Sequence, residues 1–219
     1  MIPDFILASA SPRRKALLHM LAIPFTVELA DVDEDSIVVA DPLLNVQRRS
    51  ILKAAGLEVA KRHPVVILAA DTIVTIDGDI LNKPATTDEA REMLQRLRGR
   101  PHEVLTSITL RDNLSGKTTT EVDRVQVYMR PYTDDEIEAY IATGDPMDKA
   151  GAYAIQHPEF QPVAQLTGCY LTVMGLSLCH LLTLLPQFSI SASMAEHKLK
   201  QLHQNYPCAW LSSSSPHVL

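Results

Sequence analysis

Residues 65–76 read VVILAADTIVTI, and this run decides the fold. Val65-Val66-Ile67-Leu68-Ala69-Ala70 is continuously apolar, as a central strand buried on both faces should be. It leads into Asp71-Thr72 and then Ile73-Val74-Thr75-Ile76, so Asp71 is expected at the carboxyl end of that strand. Ligands of open α/β sheets gather at this edge. A carboxylate there can orient and deprotonate a water or bind a cation, and it can equally be a strand-capping Asp.

Working outward, strand-like and helix-like runs alternate, which is the pattern of an α/β domain. On the N-terminal side, Phe5-Ile6-Leu7-Ala8 is a short apolar run ended by Ser9-Ala10-Ser11-Pro12. A helix follows, with Pro12 in its first turn and Leu17, Leu18 and Leu21 as its apolar stripe. Phe25-Thr26-Val27-Glu28-Leu29 alternates like a strand, residues 31–35 form an acidic loop, and a helix is expected over 42–62. On the C-terminal side, Asp77-Gly78 between apolar runs predicts a hairpin returning along Ile80-Leu81. Thr87-Asp88-Glu89 is read as the cap of a helix that stops at Gly99. Residues 104–111 and 118–129 read as paired strands joined by Asn113-Leu114-Ser115-Gly116, and Thr133-Asp134-Asp135-Glu136 opens another helix. Residues 171–185 read as one buried helix, too short to span a bilayer. Beyond 186 the chain turns serine-rich, with a short helix expected over 194–203 and a disordered end.

With 219 residues the chain is one large domain or one domain of two lobes. The 26 acidic and 20 basic side chains leave a net charge of -6, the wrong balance for gripping nucleic acid over a long footprint. A local basic pocket for a small anion remains compatible with it. The three cysteines, Cys169, Cys179 and Cys208, are odd in number and contain no CxxC. That spacing argues against a disulfide framework or a zinc ribbon and fits a reducing compartment. No ordered secretory signal precedes the first strand, and a cytoplasmic protein without membrane segments is expected.

Ser9-Ala10-Ser11-Pro12-Arg13-Arg14 places small hydroxyl residues, a helix start and two guanidinium groups together, a combination suited to phosphate. The same residues also read as an ordinary N-cap followed by two solvated arginines. Lys83, just past the hairpin, could reach a phosphate or simply be a solvated turn residue. Lys53 lies on a helix, where an exposed lysine is ordinarily uninformative. Asp31, Asp33, Glu34 and Asp35 could hold Mg²⁺ or Mn²⁺ through one or two carboxylates, or form a solvated acidic loop. Ser115-Gly116-Lys117-Thr118 ends like a P-loop, but Arg111 replaces the earlier glycine and no helix follows. The eight histidines show neither HExxH nor close pairing, so a histidine zinc site is not expected. No GxSxG elbow supports a serine hydrolase.

Taken in order, ILASASPRR (6–14), AADTIV (69–74), NKP (82–84), LRGRPHEVLTSI (97–108) and PMDKAGAYAIQ (146–156) resemble the Maf family of nucleoside triphosphate pyrophosphatases, also called septum formation inhibitor Maf. The resemblance implies a Maf/ITPase-like elongated α/β fold, a strongly twisted mixed sheet flanked by helices, with two lobes and a central cleft. Residues 1–186 would form that domain and 187–219 a C-terminal extension. It further implies metal-dependent hydrolysis, with Mg²⁺ or Mn²⁺, between the α and β phosphates of a nucleoside triphosphate. By the same resemblance Asp71 matches the catalytic carboxylate, and Ser9, Arg13, Arg14, Lys53 and Lys83 match phosphate-binding positions; Ser11 is expected beside them in substrate binding, and Asp71 is also a candidate metal ligand. Asp33 falls at a metal-associated position usually held by Glu. Arg13, Thr72 and Gln156 match the dTTP/UTP branch rather than the branch acting on 7-methyl-GTP. A Gln amide can satisfy both the donor and acceptor edges of thymine or uracil. A homodimer and a role in division arrest are implied only through the family, and a regulatory binding protein with incidental hydrolysis is the competing reading. The sequence departs from the family at Gly175-Leu176-Ser177, where GLP is usual, and in the loop 157–162.

Overall fold

In the computed structural model, which describes residues 3–59, 63–192, 194–204 and 206–208, β1 (Asp4–Leu7) leads into α1 (Pro12–His19). Pro12 takes the first helical position, where its missing N–H costs nothing, and the Ser11 hydroxyl accepts from the Arg14 N–H. β2 (Thr26–Val27) runs parallel to β1. Asp41 caps α2 (Pro42–Ala55), which is shorter than the helix expected over 42–62. The helix ends at Gly56, the C-cap, whose N–H still donates to the Leu52 carbonyl; a Cβ there would lie 2.3 Å from a methyl of Val32, so the close packing of that loop calls for glycine. Residues 60–62 of that expectation lie outside the described residues.

β3 (Val65–Ile76) is one uninterrupted strand of 12 residues. It turns through Asp77 and Gly78, both at positive φ (56° and 87°), into β4 (Asp79–Leu81). That two-residue turn with paired positive φ is the hairpin geometry that Asp-Gly favours. Asp71 is therefore mid-strand and not at the strand's carboxyl end. Antiparallel pairing with β5 (Pro101–Asp112) runs from Val66 to Thr75 and places Asp71 opposite Ser107. The expectation failed because two polar residues cannot end a strand whose backbone is held by a long neighbour on one edge.

Thr86, one residue before the expected cap, accepts from the Glu89 N–H and starts α3 (Thr87–Leu97). β5 returns as β6 (Thr118–Met129), with the P-loop-like Ser115-Gly116-Lys117-Thr118 at the hairpin turn. Thr133 and Glu136 make a reciprocal capping box at α4 (Asp134–Ala142). β7 (Val163–Thr167) closes the strand list, giving a seven-stranded mixed sheet in the order β2-β1-β3-β5-β6-β7, with β4 on β3. The stretch 171–185 is not one helix: α5 (Tyr170–Met174) and α6 (Leu178–Leu184) are separated at Gly175-Leu176-Ser177. Gly175 sits at φ 107° and Ser177 caps α6, so the break is written in those residues. α7 (Glu196–Leu202) lies in the C-terminal extension, where Leu199 is buried against the main core. The serine run 212–215 lies outside the described residues. Among the described residues no helix is long and apolar enough to cross a membrane.

Period-two alternation along β3 divides the core. Val65, Ile67 and Ala69 pack with Ala54 of α2, while Val66, Leu68 and Ala70 join the larger core on the other face. Asp71 continues the first set and Thr72 the second.

The short helical turn Ala150–Ala152 crosses β3 closely. Gly151 has φ 68°, donates its N–H to the Asn82 carbonyl, and has room for no side chain: a Cβ would lie 2.9 Å from Val74 Cγ1. Gly151→Ala is expected to cost about 2 kcal/mol or more through strain and overpacking, lowering Tm by roughly 4–8 °C. An unchanged thermal melt would show that this crossing tolerates a methyl group.

Candidate active site

A cavity of about 970 Å³ opens around the middle of β3. Ser9, Ser11, Arg13, Arg14, Asp33, Lys53, Asp71, Thr72, Lys83 and Gln156 all line it. The fold thus brings together residues up to 147 positions apart in sequence (Gln156 minus Ser9). What differs is how each is already engaged.

On the α2 face, Asp71 is 6% exposed, and its Oδ1 accepts from Lys53 Nζ at 2.6 Å. The same ammonium lies 2.7 Å from Glu34 Oε2. Asp71 Oδ2 is buried with no hydrogen-bond partner among the described residues, a costly state for a charged oxygen unless something fills it. Glu34, not Asp33, is the acidic-loop carboxylate on Lys53; Asp33 lines the same cavity, and its backbone carbonyl accepts from Ser36 Oγ at 2.6 Å. The residues alone did not rank the loop acids, and the family resemblance singled out Asp33; which of them meets Lys53 depends on a short helical turn, Glu34–Ser36.

On the opposite face, Arg14 is committed to the protein. Nε donates to the Gly175 carbonyl at 2.8 Å, and one terminal nitrogen donates to the Ala70 carbonyl at 2.7 Å and Ser9 Oγ at 3.3 Å. The other donates to Thr72 Oγ1 at 3.0 Å. Of five guanidinium donors, these bonds occupy four. Burial pushes its pKa down, opposed by the Asp71 charge. The Thr72 hydroxyl is also directional. Thr106 Oγ1 donates to the Thr172 carbonyl at 2.7 Å, so its single hydrogen is used. Thr72 must then donate to Thr106 at 2.9 Å while accepting from Arg14. Thr106 lies within the LRGRPHEVLTSI motif but was given no role there, and Thr172, which contributes only its backbone carbonyl to Thr106, falls outside every motif.

Lys149, buried within the PMDKAGAYAIQ motif, also lines the cavity, but its ammonium is taken up by Asp145 and Asp148. Arg13, Lys83 and the Gln156 side chain, by contrast, make no hydrogen bond or ion pair among the described residues. Ser11 acts as helix cap and Ser9 Oγ accepts from the Ser11 N–H at 3.3 Å. Loop 157–162 is a packing element: Phe160 is buried and stacks on Tyr140 with ring centroids 4.3 Å apart. The Tyr140 hydroxyl in turn donates to Asp145 and accepts from the Ala154 N–H, which steadies the wall carrying Gln156.

Beneath the same wall, His102 Nε2 lies 2.7 Å from the Tyr153 hydroxyl. Burial pushes the His102 imidazole from 6.5 down to about 4. In the folded protein it stays neutral between those values while the unfolded chain takes up a proton. The contribution of His102 to stability is therefore full above pH 6.5 and is lost as pH drops toward 4.

Residues 4–188 match the profile of the Maf-like protein family. A relative named dTTP/UTP pyrophosphatase from Thermomicrobium roseum is 41% identical over 208 residues, covering 93% of each chain. Another of that name from Bacillus cytotoxicus is 43% identical over 192 residues, 87% of this chain and 98% of its own. A third, from Halalkalibacterium halodurans, is 47% identical over 174 residues, 79% of this chain and 90% of its own. Among solved structures, a HAM1 protein from Coxiella burnetii superposes with a TM-score of 0.40 at 16% identity, over 60% of this chain and 75% of that one.

Arg14→Lys is expected to lower stability by ~2–4 kcal/mol, because one ammonium cannot serve acceptors on three segments. Arg13→Ala and Lys83→Ala should stay within ~0.5 kcal/mol of the parent. Similar melting curves for all three would refute this division of the cations. In urea unfolding, His102→Gln should flatten a pH-dependent loss on the order of 3 kcal/mol between pH 6.5 and 4; an unaltered slope would place that loss elsewhere.

Proposed function

The chain belongs to the Maf-like family, and from that membership and the cleft's chemistry we propose that it hydrolyses dTTP and UTP to the nucleoside monophosphate and pyrophosphate. The observation that carries the reading is the buried, unpartnered Asp71 Oδ2, held beside Lys53 in a cavity whose uncommitted cations are Arg13 and Lys83. The relatives' printed names support the substrates.

Arg13 and Lys83 hold the phosphate chain, since their donors are available and their charges offset it. A water hydrogen-bonded to Asp71 Oδ2 attacks the α-phosphorus. Its proton passes to that oxygen, the bond from the α-phosphorus to the α–β bridging oxygen breaks, and pyrophosphate leaves. Lys53 compensates the charge of Asp71 and Glu34, which would otherwise face each other in a partly dry site. Arg14 holds the Ser9–Ser11 loop against β3 and thereby aims Arg13, and Gln156 reads the pyrimidine edge through its free amide. The donor set fits Mg²⁺ or Mn²⁺: an orphaned carboxylate oxygen, a second carboxylate on Glu34 and Asp33 on the same wall suit a cation that takes one or two protein carboxylates plus substrate phosphates. Such an ion supplies neutralisation of charge on the phosphates and on the departing pyrophosphate.

The test is pyrophosphate release from a panel containing dTTP, UTP, ATP, GTP and 7-methyl-GTP, with Mg²⁺ or Mn²⁺. dTTP and UTP should lead, and Asp71→Asn should reduce turnover by roughly 10²–10⁴-fold without unfolding the protein. Preference for 7-methyl-GTP would overturn the substrate reading. Near-normal turnover by folded Asp71→Asn would overturn the base.

A further inference from the structure

Away from the cleft, the fold gathers the chain's three cysteines around one histidine. Cys169 precedes α5, Cys179 lies in α6, and His203 and Cys208 follow α7 in the C-terminal extension. All four are buried, at 3%, 6%, 1% and 3% exposure, and none of the three cysteines is in a disulfide among the described residues. Their ligand atoms lie within 4.8 Å of one another. We propose that Cys169, Cys179, His203 and Cys208 form a closed structural Zn²⁺ site that fastens the C-terminal extension to α5 and α6. This proposal is independent of the reaction assigned to the cleft.

The geometry matches the ion. His203 Nε2 is 3.3 Å from Cys169 Sγ and 3.6 Å from Cys179 Sγ. With Zn–S near 2.3 Å and Zn–N near 2.05 Å, a tetrahedral centre sets sulfur and nitrogen ligands about 3.6 Å apart. The tautomer also matches. His203 Nδ1 lies 2.6 Å from the Leu199 carbonyl, which only accepts, so Nδ1 carries the hydrogen. Nε2 is left with a lone pair toward the sulfurs, in the carbonyl–histidine–metal arrangement that orients zinc ligands. Ser177 Oγ donates to Cys169 Sγ at 3.7 Å, so the residue that departs from the family's GLP supports this sulfur.

Without a metal, three thiols converge on a single nitrogen acceptor, and at most one strong S–H···N bond can form. A soft thiolate–imidazole set favours Zn²⁺ over the hard cations suited to the cleft. Binding forms three Zn–S bonds and one Zn–N bond and releases three thiol protons to solvent. The extension has reason to need it: α7 has 7 residues, well below the length at which a helix holds alone. The sequence spacing, Cys169-x9-Cys179 and His203-x4-Cys208, lacks the close cysteine pair by which zinc sites are usually read.

The full chain, purified under reducing conditions, is assayed for metal by mass spectrometry, and a cobalt-substituted sample is examined by absorption spectroscopy. The expected result is about one zinc per chain, together with intense tetrahedral d–d bands and thiolate-to-cobalt charge transfer. Cys208→Ser should lose the zinc, whereas Asp71→Asn and Glu34→Gln should keep it. A strong chelator should strip the wild-type protein and lower its Tm, a readout that stands even if Cys208→Ser fails to fold. Three results would each overturn the site: reduced, zinc-free protein with all three thiols titratable after denaturation; protein with a single titratable thiol, marking a disulfide; or zinc that follows Asp71 rather than Cys208.

Discussion

The site depends on an interruption in one edge of the central strand. β1 pairs with Val65–Leu68 and β4 with Val74–Ile76, so, among the described residues, positions 69–73 of β3 have no strand neighbour on that side. A buried strand edge must still satisfy its backbone groups. Arg14 does this at the Ala70 carbonyl and ties the Ser9–Ser11 loop, Thr72 and the Gly175 turn to the same point. The gap gives ligand access to both faces of β3 at once. That is why Asp71 and Thr72, which point to opposite faces, line a single cavity.

Charge is allocated accordingly. The chain carries a net charge of -6, and much of the cleft's positive charge is internally compensated. Lys53 faces two carboxylates, Lys149 is held by Asp145 and Asp148, and Arg14 is desolvated among carbonyls and hydroxyls. These groups set geometry more than they attract anions. Arg13, in the first turn of α1, and Lys83, just past the β3–β4 hairpin, make no hydrogen bond or ion pair among the described residues. A net charge of -6 is compatible with a local pocket for a small anion that needs no basic surface.

Much of the fold was legible because its signals are local. The apolar run into Asp71, the Asp77-Gly78 turn, the Thr133–Glu136 capping box and Pro12 at a helix start each follow from neighbouring residues. The clearest error came where a distant segment decided the outcome: β5 carried β3 through Asp71-Thr72. The break in 171–185 is local, at Gly175–Ser177, and was missed because hydropathy alone suggested one helix. In the cleft, residue identities were legible from motifs, but Arg14 and Arg13 look equivalent as neighbours in sequence. Only the packing separates the organiser from the free cation.

What the sequence by itself determined is the mixed α/β order of elements, the family motifs and the set of side chains that could serve a phosphate site. These are properties of local propensity, periodicity and residue chemistry. The tertiary structure decided which donors are already used, which carboxylate meets Lys53, and that Cys169, Cys179, His203 and Cys208 share one buried point. Those outcomes depend on distances between segments far apart in the chain. Hydrogen-bond capacity is finite, so a side chain's availability is known only once its neighbours in space are known.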